Sequence, residues 1–102
     1  MDLSTLTIRS NNPNTAPRVI PSRLVVGLLA IHRPAFDAES PKSRWHITHG
    51  ASGLRLATVR SLPTAKTLAQ QLMACGDWTW TEKADCPNEL KVAAFAIVKD
   101  YQ

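Results

Sequence analysis

Residues 43–61 read SRWHITHGASGLRLATVRS, and their alternation decides what kind of fold the chain adopts. Trp45 and Ile47 alternate with Arg44, His46 and Thr48, and after Gly50–Gly53 the pattern resumes through Leu54, Arg55, Leu56 and Ala57. Successive side chains on a strand point to opposite faces, so a two-residue period marks half-buried strands. The expected structure is a hairpin of Arg44–His49 and Leu54–Arg60. Its glycines supply the positive φ that a loop of about three to five residues needs. Trp45, Ile47, Leu54 and Leu56 then face the core, while Arg44, His46, Thr48, Arg55 and Ala57 share the outer face.

Upstream, Leu24–Arg33 is aliphatic and closes at Pro34, which fits one buried strand; a short helix from Ser22 has the same periodicity. Gly27 weighs against the helix, where it costs about 1 kcal/mol relative to Ala. Pro34–Ser43 carries two prolines, two acids and serines and reads as a loop. Residues 1–22 are rich in Ser, Thr, Asn and Pro and read as a flexible arm, with Leu6–Arg9 able to add a short strand to a sheet edge.

Downstream, Ser61–Gly76 is an amphipathic helix. Pro63 fits its first turn, Gly76 its end, and Ala65, Leu68, Ala69, Leu72 and Met73 form one apolar stripe. Trp78 and Trp80 alternate with threonines in what reads as a short extended piece. A second helix spans about Pro87–Tyr101, with the stripe Leu90, Ala93, Ala94, Ile97, Val98, Tyr101, and with Asp85 or Asn88 as its cap. The fold class is α+β: a three-stranded or four-stranded antiparallel sheet against two C-terminal helices, in the order β-β-β-α-α. Residues 23–102 form that single domain.

Charge divides the chain more sharply than its net +4 suggests. All seven arginines fall in the first 60 residues, which carry net +5, whereas the remainder carries net −1. Arginine confined to one segment makes the chain a candidate for an anionic partner. It also suits plain solubility and protection of sheet edges. No apolar run reaches the roughly 18–20 residues a membrane helix needs, and no secretory pattern opens the chain, so a cytoplasmic protein without a membrane partner is expected. In that compartment Cys75 and Cys86 are expected as free thiols.

Neither catalysis nor a metal site is implied. His46 and His49 are three apart and face opposite sides of a strand, and the cysteines form no CxxC pair with zinc-ligand spacing. Cys75 ends a helix, where the dipole opposes a thiolate, and Cys86 has no histidine near it in sequence. No nucleophile, base and orienting group are assembled, so the chain reads as non-enzymatic, with no cofactor and no small-molecule substrate.

Three strands, then a helix, with "RWHIT", a glycine turn, "LRLATVRSL" and "PTAKTLAQQL", resemble the AP2 and phage-integrase amino-terminal type of DNA-binding domain. The resemblance spans residues 24–74 and is one of pattern. It implies that the sheet enters a groove, with Arg44, His46 and Arg55 against bases or phosphates and Arg9, Arg18 and Arg23 tracking the backbone. The expected nucleic-acid surface comprises Arg44, His46, Arg55, Arg60, Arg33 and Arg23. The alternative is a protein-interaction or assembly module, including a homodimer, using a sheet edge or Trp78 and Trp80.

Overall fold

A computed structural model of the chain describes residues 3–8, 13–35 and 43–101. Arg9 and most of the Pro34–Ser43 loop, with Phe36, Asp37, Glu39 and Lys42, lie outside the described residues.

Among the described residues, six strands form two antiparallel sheets. β1 (Thr5–Ile8) pairs with β2 (Arg18–Pro21). β3 (Leu24–Val26), β4 (Leu29–His32), β5 (Trp45–His49) and β6 (Arg55–Val59) follow one another in a four-stranded sheet. Helices α1 (Leu62–Ala74) and α2 (Asn88–Lys99) complete the fold, with a single 3-10 turn at Lys83–Asp85 between them.

The α+β class stands, but the strand count differs from expectation. Leu24–Arg33 is a hairpin rather than one strand or a helix. Val26 pairs with Leu29, leaving Gly27 and Leu28 as a two-residue loop. Gly27 has φ of 59° and Leu28 has no positive φ, the pattern of a type II′ turn. A side chain at Gly27 would be strained, and its Cβ would come within 2.6 Å of Met73 Cε.

The β5–β6 hairpin forms as its alternation predicts, with one correction. A bulge between Ile47 and Thr48 shifts the register, so Ile47 pairs with Ala57 and Trp45 with Val59. Ala57, not Leu56, therefore stands opposite Ile47 on the core face. In the Gly50–Gly53 loop only Gly53 has a positive φ, 76°.

One face of the large sheet presents Leu29, Ile31, Trp45, Ile47, Ala57 and Val59. They pack against Ala65, Leu68, Ala69 and Leu72 of α1 and Leu90 and Ala94 of α2. Ser61 caps α1, its hydroxyl accepting from Thr64 N at 3.3 Å. Helix α2 starts differently from expectation: Pro87 occupies the cap and no side chain caps it. Truncating a fully buried leucine such as Leu68 or Leu72 to Ala costs about 2–5 kcal/mol.

The other face presents Ala30, His32, His46 and Thr48, and it is covered too. Within residues 1–22, Leu3 and Leu6 are buried against Ala30, with Ile8 and Ile20 beside them. The strand at Thr5–Ile8 pairs with β2 instead of extending the large sheet. Ser22 ties the two segments, donating from Oγ to Leu3 O at 2.6 Å. The layers are thus helices, four-stranded sheet and small hairpin.

Candidate functional site

Register places the arginines. Leu24 pairs with Ile31, His32 with His46, and Trp45 with Val59. Arg23 before β3, Arg33 after β4, Arg44 before β5 and Arg60 after β6 therefore all stand at one end of the sheet. Every strand of the sheet contributes one. Arg23, Arg33 and Arg60 are exposed and Arg44 is half-buried. Arg18 joins them from the small sheet, its Nη1 donating to Ala35 O at 2.9 Å.

Two hollows open at this end. One, of about 320 Å³, is lined by Ile20, Arg23, Arg33, Pro34 and Trp45. The Arg33 guanidinium lies 3.7 Å from the centre of the Trp45 ring, a cation–π contact, and its Nη1 donates to Arg44 O at 3.4 Å. The second, of about 510 Å³, is lined by Arg44, Thr58, Arg60, Thr64 and Tyr101. It adjoins the first turn of α1, which holds no acidic residue and presents the positive end of the helix dipole.

The opposite end is built from the loops. His49 is fully buried. Its Nε2 donates to Trp78 O at 2.7 Å, and its Nδ1 accepts from Ser52 Oγ at 2.7 Å. Ser52 Oγ in turn accepts from Leu54 N at 3.1 Å. The Trp80 ring packs 4.1 Å from the imidazole centre. Trp78 Nε1 donates to Leu72 O at 2.8 Å and Trp80 Nε1 to Asp77 O at 2.9 Å. Thr79 donates twice to Asp77 Oδ1, which holds that exposed carboxyl below its usual range.

The other two histidines, His32 and His46, form a pair on the sheet face opposite the helices. His32 Nδ1 donates to Arg33 O at 2.8 Å, so its Nε2 accepts from Thr48 Oγ1 at 2.7 Å. His46 stacks edge-on against His32, with ring centres 5.5 Å apart. Its Nε2 is buried and finds no hydrogen-bond partner among the described residues. Burial first, then the nearby Arg55 cation and His32, push His46 down to about 4. Burial and Arg55 lower His32 as well, against the opposing pull of the Arg33 carbonyl.

This arrangement corrects the expected surface. His46 and Thr48 are buried rather than presented to solvent, on the sheet face where Leu3 and Leu6 cover Ala30. Arg55 is exposed, but it sits on the edge strand beside the histidines, paired with Thr48, away from the other arginines. Arg44, Arg60, Arg33 and Arg23 do come together, at the end of the sheet instead of on its face. Trp78 is 2% exposed and Trp80 packs against the core, so neither forms an open patch. Sequence reading left Tyr101 and Thr64 out of the site. The available signal was an arginine at the boundary of each strand.

Cys75 and Cys86 are free thiols; partial burial pushes Cys75 up, away from the reactive thiolate. Among the described residues no group of three His, Cys, Asp or Glu could hold a metal, and no helix is long and apolar enough to cross a membrane.

No family model, no curated protein sequence and no solved structure matches this chain.

Proposed function

We propose that this chain is a non-enzymatic module that binds nucleic acid through the arginine end of its four-stranded sheet. The observation that carries this reading is the placement of Arg23, Arg33, Arg44 and Arg60, one at the same end of each strand. Guanidinium groups fork onto phosphate oxygens, and several on a rigid scaffold match the repeat of charge along a backbone better than a mobile cluster does. Strand ends held by ladder bonds supply that scaffold. Half-buried Tyr101 adds aromatic surface at the second hollow, where an unpaired base has a ring to stack on.

Phosphate contacts position a protein without reading sequence. The binding mode is therefore backbone capture at the sheet end, distinct from the groove entry by a sheet face that the AP2-like pattern implies.

The test is titration of the chain with a mixed-sequence oligonucleotide at rising salt. The logarithm of affinity falls linearly with the logarithm of salt, by about 0.9 per phosphate neutralised on a duplex and about 0.7 on a single strand. Arg44→Ala and Arg60→Ala each shallow that slope by about one phosphate's worth. Lack of binding even at low salt removes the proposal.

A further inference from the structure

Helix α2 leaves an apolar face open. Val92 and Phe95 are each 71% exposed, and Ala96 beside them is exposed as well. The buried side of the same helix, Leu90 and Ala94, already faces the core. At about 100° per residue, Glu89, Val92, Phe95, Ala96 and Lys99 fall along one outer stripe. That stripe reads acid, three apolar residues, base.

The order is self-complementary under reversal. Positions 89 and 99 are equidistant from 94, and so are 92 and 96. A two-fold axis crossing α2 at the level of Ala94 sets Val92 of one copy on Ala96 of the other. It also sets Glu89 on Lys99 at both ends of the contact. The two Phe95 rings then lie about 3 Å apart along the helix axis, on either side of the two-fold. Antiparallel packing further places the positive end of each helix dipole beside the negative end of its neighbour. We propose that the chain forms an isologous homodimer through α2, with a second copy of the same helix as occupant.

Phe95 also rims a cleft of about 180 Å³ between α2 and β6, lined by Leu54, Leu56, Ala94 and Val98. The partner's helix closes the mouth of this cleft. A contact confined to one helix about 18 Å long is small for a protein interface, so association is weak and depends on concentration. Helix α2 runs from the tryptophan end, where Leu90 meets Gly76, to the arginine end, where Tyr101 lines the second hollow. The two arginine ends of the dimer therefore point in opposite directions. Arg55 lines this cleft, but the contact uses none of Arg23, Arg33, Arg44 and Arg60, so it stands or falls independently of nucleic-acid binding.

Sedimentation equilibrium of the full chain, from micromolar to millimolar concentration, tests this. The native chain shifts from monomer to dimer mass across that range. Phe95→Glu weakens association by about tenfold or more, with an unchanged far-UV spectrum because the ring is exposed. Glu89→Lys and Lys99→Glu each weaken it, and the double variant recovers the native constant. A native chain that stays monomeric throughout overturns the proposal. So does a dimer that Phe95→Glu leaves intact, or a double charge reversal that fails to recover.

Discussion

At the end of the sheet where the Gly27–Leu28 and Gly50–Gly53 turns lie, polar side chains are spent on one another. Leu54 N, Ser52, His49 and Trp78 O form one hydrogen-bonded line, and two tryptophans close over it. At the other end stand four cations, Arg23, Arg33, Arg44 and Arg60, three of them exposed and Arg33 lying over Trp45. The described carboxylates divide the same way. Asp77, Glu82, Asp85 and Glu89 belong to the tryptophan end, with Asp100 alone beside the basic one. One end is thus a structural clamp and the other a charged rim. Their substitutions should separate stability from binding.

The largest effect is expected at the clamp. His49→Ala removes one buried and one partly buried hydrogen bond, leaves Trp78 O without its donor and opens a cavity. That should cost on the order of 3 kcal/mol and lower Tm by more than about 10 °C in thermal unfolding. A shift of only a degree or two would mean the two loops hold together without the imidazole.

Acid comes next. His46 titrates at about 4 in the fold, against 6.5 when unfolded, and His32 is lowered in the same direction. The unfolded chain therefore binds more protons between those values. Stability is complete above pH 6.5 and is lost as pH falls toward 4, on the order of 2–3 kcal/mol from His46. Urea unfolding at pH 7 and pH 4.5 measures this, and His46→Phe should flatten the dependence. Equal loss in His46→Phe and the native chain would assign the acid response elsewhere.

Gly27→Ala should cost somewhat more than about 1 kcal/mol, because φ of 59° disfavours any side chain and Met73 must move. The smallest effect belongs to the rim: Arg60→Ala, an exposed position at the end of an edge strand, should stay within about 0.5 kcal/mol of the native chain. A larger loss would make Arg60 a structural residue and blur the contrast between the ends.

Much of this organisation was legible in the chain. The stripe from Ala65 to Leu72, closed by Ser61 and Pro63, reads directly as α1 because helix period and cap chemistry are local. The alternation around Trp45 and Leu56 marks β5 and β6 for the same reason. The Gly27–Leu28 turn was hidden, since Leu28 resumes the apolar run at once and a lone glycine is the only mark of the turn. The bulge after Ile47 leaves no residue signature, and it moves Ala57 to the core face.

Long-range packing was the least readable. Leu3 and Leu6 cover Ala30 from within a segment whose polar composition masks two buried leucines, and on the same sheet face His46 is an interior residue instead of a surface one. His49 meets its acceptor 29 residues later, a distance that periodicity does not register. Arg23, Arg33, Arg44 and Arg60 were expected on a sheet face, where register instead places them at one end.

The central assignment is tested most directly by following arginine side-chain and backbone NMR resonances while a short oligonucleotide is added. The account predicts shifts gathered at Arg23, Arg33, Arg44 and Arg60, with Trp45 and Tyr101 moving alongside them and the Trp78 and Trp80 indoles still. Shifts centred on the tryptophan clamp or on Arg55, or spectra that never move, would contradict it.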